Sequence, residues 1–179
     1  MARKGANGSF SLNTTVDASG ASTLAGGLAA ALSKTGDGKV LLVDMNLSQG
    51  AAHPFSDGHP ATSLDVAVKS PRGLEATADN LYVAKAEADS PGGVSLGLGR
   101  LSRLVPELLA SKFDYIVFDM PPLSSTSPTS ALAGVMDHVM VVVEPEKSTH
   151  DHLRRSIRDL NDSRAKVSYV FNKARSHGP

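Results

Sequence analysis

The sequence predicts an α/β domain: a doubly wound, mainly parallel sheet flanked by helices. The runs "KVLLVD" (39–44), "YIVFD" (115–119), "HVMVVV" (138–143) and "KVSYVF" (166–171) are nearly continuous in apolar residues. Such runs, without polar alternation, suit parallel strands covered on both faces. Helical patterns lie between them, and strand–helix alternation builds a parallel sheet. The 179 residues suffice for one compact domain.

In chain order, "SFSLNTT" (9–15) reads as a weak first strand. "STLAGGLAAALSK" (22–34) is rich in Ala and Leu and reads as a helix. Gly26 and Gly27 inside it are expected to allow close packing on the sheet. After the strand at 39–44, residues 50–80 are rich in Gly, Pro, Ala and Asp and read as loop with one short helix near "SLDVAV". "LYVAKA" (81–86) is strand-like and "PGGVSLGLG" (91–99) is a glycine-rich loop. "LSRLVPELLASK" (101–112) reads as a helix in which Pro106 either opens the first turn or makes a kink. The strand at 115–119 leads into Pro121 and Pro122, which force an extended exit, and then into a loop, "SSTSPTS" (124–130). "THDHLRRSIRDLNDS" (149–163) is the helix between the last two strands. Residues 1–8 are expected to be a flexible start, 9–174 the domain, and 175–179 a short end.

Composition narrows function. Eighteen basic and eighteen acidic residues cancel, which gives no electrostatic footprint for nucleic acid. There is no cysteine, so disulfides, thiolate metal sites and thiol nucleophiles are excluded; this suits a reducing cytosol. The run "VMVVV" (139–143) is far short of a membrane span. "MARKGANGSF" has no apolar signal core. A cytoplasmic protein is expected, reaching the inner face of the membrane only through a partner.

Ligands of such sheets bind beyond the carboxyl ends of the strands. The features found there are "DASGAST" after the first strand, "VLLVDMNLSQG" (40–50), "FDYIVFDMPP" (113–122), and the stretch from "VVVEPEKST" to "VSYVFNK" (141–173). In order and spacing they resemble the cytoplasmic domain of the bacterial tyrosine kinases of exopolysaccharide synthesis, relatives of the MinD/ParA deviant P-loop ATPases. The resemblance runs from residue 9 to 174 and implies a P-loop NTPase-like fold.

The family loop reads approximately P-G-E-G-K-S-T. Here Asp17 stands for the proline, Ala18 for the first glycine and Ser19 for the glutamate; Gly20, Ser22 and Thr23 match, and Ala21 replaces the lysine. Val16 stands where MinD/ParA relatives carry a second lysine. A P-loop points backbone N–H groups at phosphate, adds a lysine cation and binds magnesium through its Ser/Thr hydroxyl. The helix start and the Ser22 hydroxyl remain; the cation is lost and an anion, Asp17, has appeared. One lost charge-assisted contact is worth roughly 1.5–3 kcal/mol. Read without the resemblance, "SGAST" is a loop with an ordinary Ser or Asp cap.

Asp44 matches the first aspartate of the family's second acidic motif, Asn46 stands for the second, and Ser48 for an arginine. The resemblance gives these aspartates to magnesium and to deprotonation of the attacking tyrosine, which makes Asp44 a vestigial catalytic residue; Asn46 cannot act as a base. Asp119 matches the Walker B aspartate, a magnesium residue. Asn172 matches the asparagine that contacts adenine. The plainer readings are strand-end caps for Asp44 and Asp119 and a turn residue for Asn172. His150 and His152, two apart on a helix, point to different faces and do not make a metal pair.

The resemblance thus implies a cofactor-binding set of Gly20, Ala21, Ser22, Thr23 and Asn172 and a metal set of Ser22, Asp44 and Asp119, with ATP or ADP and magnesium weakly bound or absent. Tyr82, Tyr115 and Tyr169 all fall in predicted strands rather than in the family's tyrosine-rich tail. The expected function is a catalytically inactive regulatory or scaffolding partner of a polysaccharide synthesis and export complex. Its partner is expected to be a membrane-embedded polysaccharide co-polymerase or chain-length regulator, with self-association also open. The alternatives are an active magnesium- and ATP-dependent tyrosine kinase or ATPase that uses a different cation, such as Lys173 or Arg175, and a MinD/ParA-like ATPase.

Overall fold

A computed structural model describes residues 8–16, 19–35, 38–46, 55, 62–69, 74, 76–87, 98–123, 132–161 and 166–174. Seven strands form one sheet: β1 (Gly8–Thr14), β2 (Val40–Asp44), β3 (Thr62–Ser63), β4 (Leu81–Lys85), β5 (Tyr115–Asp119), β6 (His138–Val143) and β7 (Lys166–Phe171). Their order is β3-β4-β2-β5-β1-β6-β7, and every ladder is parallel. Helices α1 (Ala21–Lys34), α2 (Leu64–Lys69), α3 (Leu98–Leu109) and α4 (His150–Asn161) flank the sheet.

The order explains where the helices go. The crossover from β1 through α1 to β2 runs toward one end of the sheet; those through α2, α3 and α4 run toward the other. Right-handed crossovers in opposite directions place helices on opposite faces. Two cores result. Ala25 and Ala29 of α1 pack with Leu12, Val40, Leu42 and Val117 on one face. Leu64, Leu101, Leu108 and Leu160 pack with Leu41, Ile116, Phe118 and Val141 on the other. Alternate residues of each central strand serve the two cores, which is why these strands are apolar throughout.

β1 reads weakly because one of its faces carries Ser9, Ser11 and Asn13, all buried. The fold answers part of this polarity with hydrogen bonds. Ser9 donates its N–H and its hydroxyl to Asp137 Oδ2, at 2.8 and 2.7 Å, and Asn13 donates to the Ser11 hydroxyl. Across α2 and α3, Arg100 donates to the Asp65 carboxylate. That hydrogen bond holds the Asp65 carboxyl below the usual carboxylate range against the upward push of burial, with Arg100, Lys69 and Arg103 adding their charge.

Several expectations need correction. β1 spans Gly8–Thr14, with Tyr115 the register partner of Gly8, one residue earlier at each end than the strand expected at 9–15. α3 begins at Leu98, so the last two residues of the glycine-rich loop are helical, and Pro106 sits in the helix interior rather than its first turn. Gly26 is buried, and a Cβ there would run into the ring of Phe55, while a side chain at Gly27 would meet nothing. Asp17, Ala18, Ser48, Arg175, the loop at 124–130, residues 1–7 and residues 175–179 lie outside the described residues.

Candidate functional site at the carboxyl edge of the sheet

Because all strands run the same way, the ends of β1, β2, β5, β6 and β7 share one edge. Chain direction reverses around β1: α1 leaves it toward one face, while the segment after β6 leads to α4 on the other. Such a switch point opens a crevice.

The β1–α1 loop is tied down by its own groups. The Ser19 hydroxyl donates to the Val16 carbonyl at 2.9 Å, and Thr14 Oγ1 donates to the same carbonyl at 2.6 Å. Thr15 Oγ1 and Ser148 Oγ lie 2.6 Å apart, linking the loop to the exit of β6. The N-cap of α1 is Gly20, with φ +89°, and no side chain caps the helix. The ordinary Ser or Asp cap is therefore absent. An L side chain strains at that φ, and a Cβ there would lie 2.5 Å from Asn172 Nδ2.

Ala21 is buried, Ser22 half-buried and Thr23 exposed. The position of the family lysine is thus an alanine turned into the fold. Asn172, at the exit of β7, donates its backbone N–H to Val143 O at 2.9 Å and its Nδ2 to Ser19 O at 2.8 Å. The amide expected to read adenine donates one N–H to the loop. Lys173 follows in the left-handed region, φ 56°. Its Cε is 4.0 Å from the Gly20 Cβ position, and its Nζ is 3.3 Å from Glu144 Oε2. Glu144 also pairs with Lys147 at 3.1 Å. Burial pushes the Glu144 carboxyl up, but the two ammonium groups outweigh it and hold it below the usual carboxylate range. Lys173 was expected only as an alternative cation; Glu144 and Lys147 were not singled out from the sequence, and the signal available was the strand-end "VVVEPEK".

Asp44 and Asp119 end β2 and β5 and are register partners. They are 4% and 1% exposed. Asn46 reaches both: its backbone N–H donates to Asp44 Oδ1 and its Nδ2 to Asp119 Oδ2, each at 2.9 Å. The fold brings both aspartates to the edge at which α1, with Ser22 in its first turn, begins. Magnesium, the cation implied by the resemblance, takes oxygen ligands. Here Asn46 donates to one oxygen of each carboxylate, and a cation approaching those oxygens would have to displace its donors. His150 is exposed, and His152 accepts only a long contact from the Thr149 N–H at 3.4 Å. Among the described residues no group of three His, Asp or Glu side chains could hold a metal, and no helix is long and apolar enough to cross a membrane.

No family model matches the chain. A protein of Ralstonia nicotianae named as tyrosine-protein kinase EpsB is 26% identical over 156 residues, covering 80% of this chain and 20% of EpsB. One of Staphylococcus aureus, named as tyrosine-protein kinase CapB, is 24% identical over 163 residues, covering 87% of this chain and 71% of CapB. The chain therefore spans a small part of EpsB and most of CapB. The kinase domain of the Escherichia coli tyrosine kinase ETK superposes with a TM-score of 0.75 at 18% identity, over 97% of this chain and 72% of that one. A ParA family ATPase from Chlorobium tepidum gives 0.73 at 21%, over 96% and 76%. The two structures share this fold.

Proposed function

We propose, for a chain that belongs to the bacterial tyrosine-kinase family of exopolysaccharide biosynthesis and its MinD/ParA-type P-loop relatives, that it is a member without phosphoryl transfer. Its role is that of a regulatory or scaffolding partner in polysaccharide synthesis and export. One observation carries this reading: the start of α1 offers a buried alanine where the family has its lysine. Phosphoryl transfer rests on positioning and on neutralising phosphate charge, and the loop supplies no cation of its own. The partner proposed is a membrane-embedded polysaccharide co-polymerase or chain-length regulator, with self-association as a second mode. ATP or ADP would bind weakly or not at all.

The test is calorimetric titration with ATP and ADP, with and without magnesium, beside assays of ATP turnover and of phosphotyrosine formation. The expected result is no turnover and no phosphotyrosine. Magnesium-dependent turnover that disappears in Asp119→Ala would overturn the proposal.

A second reading has its own observation. The Lys173 side chain passes beside Gly20, so a cation from the exit of β7 lies near the loop that lacks one. In that reading the chain is an active ATPase or kinase, and Lys173→Ala abolishes ATP binding while leaving the fold intact.

A further inference from the structure

The buried pair Asp44 and Asp119 carries an inference that rests on the proposed loss of phosphoryl transfer, which would need a metal at this edge. Two carboxylates side by side lose hydration and repel each other when ionised. A fold keeps such a pair when donors or a cation occupy the space between them. In this chain that position belongs to Asn46, itself 8% exposed. Its backbone N–H satisfies Asp44 Oδ1 and its side-chain N–H satisfies Asp119 Oδ2. One residue, two positions beyond the end of β2, therefore bridges two neighbouring strands at their carboxyl ends.

We propose that Asn46 stands in for a divalent cation: its two donors hold the carboxylate pair, so that this edge of the sheet is built to be independent of metal. The chemistry of the side chain decides this. An aspartate at position 46 would keep the backbone N–H, lose the side-chain donor and bring a third carboxylate against Asp119. A cation, or a proton shared between two of the carboxyl groups, would then be needed to hold the three together. A carboxamide of almost the same shape instead donates to one carboxylate without adding charge. The site would thus be lost not by removal of its aspartates but by a near-isosteric exchange beside them.

The experiment is thermal unfolding of the full chain in EDTA, in millimolar magnesium chloride, and in sodium chloride of equal ionic strength. It is run for wild type, Asn46→Asp and Asn46→Ala. The wild type is expected to unfold at the same temperature in all three. Asn46→Asp is expected to unfold lower in EDTA and to rise on the order of 5 °C with magnesium, as a ligand that binds only the folded state would produce. Asn46→Ala, which leaves Asp119 Oδ2 without this donor, is expected to unfold lower in every buffer, with no magnesium response. A wild-type rise with magnesium that Asp119→Asn abolishes overturns the proposal. So does an Asn46→Ala variant as stable as wild type, or a folded Asn46→Asp variant blind to magnesium. If Asn46→Asp yields no folded protein, the wild-type titration and Asn46→Ala decide.

Discussion

At residue scale, the β1–α1 loop and the exit of β7 depend on each other. Gly20→Ala places a Cβ both at a strained φ and against Asn172, and should cost about 1–3 kcal/mol. Asn172→Ala removes the clash but not the strain, so the double variant should recover part of the loss and no more. A double-mutant cycle by chemical denaturation checks this; strictly additive losses would show that the two residues do not meet. Glu144 gives a pH-dependent companion. Its carboxyl is held below the ordinary value of 4.5 in the folded chain. Its ion pairs with Lys147 and Lys173 therefore contribute stability above the unfolded value, and that contribution is lost as pH falls through the folded one. Glu144→Gln should unfold at lower temperature than wild type near neutrality, and the gap should close in acid. A gap independent of pH would mean that the carboxylate charge is not what matters.

At the scale of elements, α1 holds two adjacent glycines with opposite prospects. Gly27 is exposed, and a side chain there meets nothing. Gly27→Ala should stabilise by roughly 0.5–1 kcal/mol through helix propensity and a more restricted unfolded chain. Gly26 lies under Phe55, so Gly26→Ala should destabilise unless the ring moves. Denaturation midpoints for the pair, at constant slope, test the assignment; equal shifts of one sign would refute it. The elements themselves were legible as apolar runs and Ala/Leu-rich segments, since a strand buried on both faces has no polar alternation to confuse it. Legibility failed where the pattern is local but the cause is not. Phe55, from a segment read as loop, explains Gly26; Asp137, 128 residues from Ser9, explains a polar face in the middle of the core.

For the whole molecule, the sheet order makes β2, β5 and β1 its centre and β3 and β7 its edges. The amides of Leu41–Val43 and Ile116–Phe118 are fully buried between two cores. Their hydrogen exchange should proceed only through global unfolding, whereas β7, half-exposed with Phe171 at 64%, should exchange through smaller openings. Equal protection of β7 and β5 in native-state exchange would contradict this hierarchy. The same architecture brings Asp44 and Asp119, 75 positions apart, into register. It also folds Asn172 onto a loop more than 150 residues earlier.

The sheet class, its strands and the edge bearing the site could be read from the residues alone, because hydrophobic periodicity and strand–helix alternation act over short spans of chain. The relation to the exopolysaccharide kinases could be read in the same way, from motif order. What each site residue touches was settled only by the tertiary structure. Asn46 differs from an aspartate by one group, and its sequence position leaves open whether it offers a carbonyl or a donor; the parallel pairing of β2 with β5 turns its donors onto both carboxylates. Asn172 could equally have faced a crevice or a loop, and the exit of β7 beside β6 delivers it to Ser19. Hydrogen bonds reach about 3 Å, so their partners are decided by the packing of distant segments, on which local sequence has no hold.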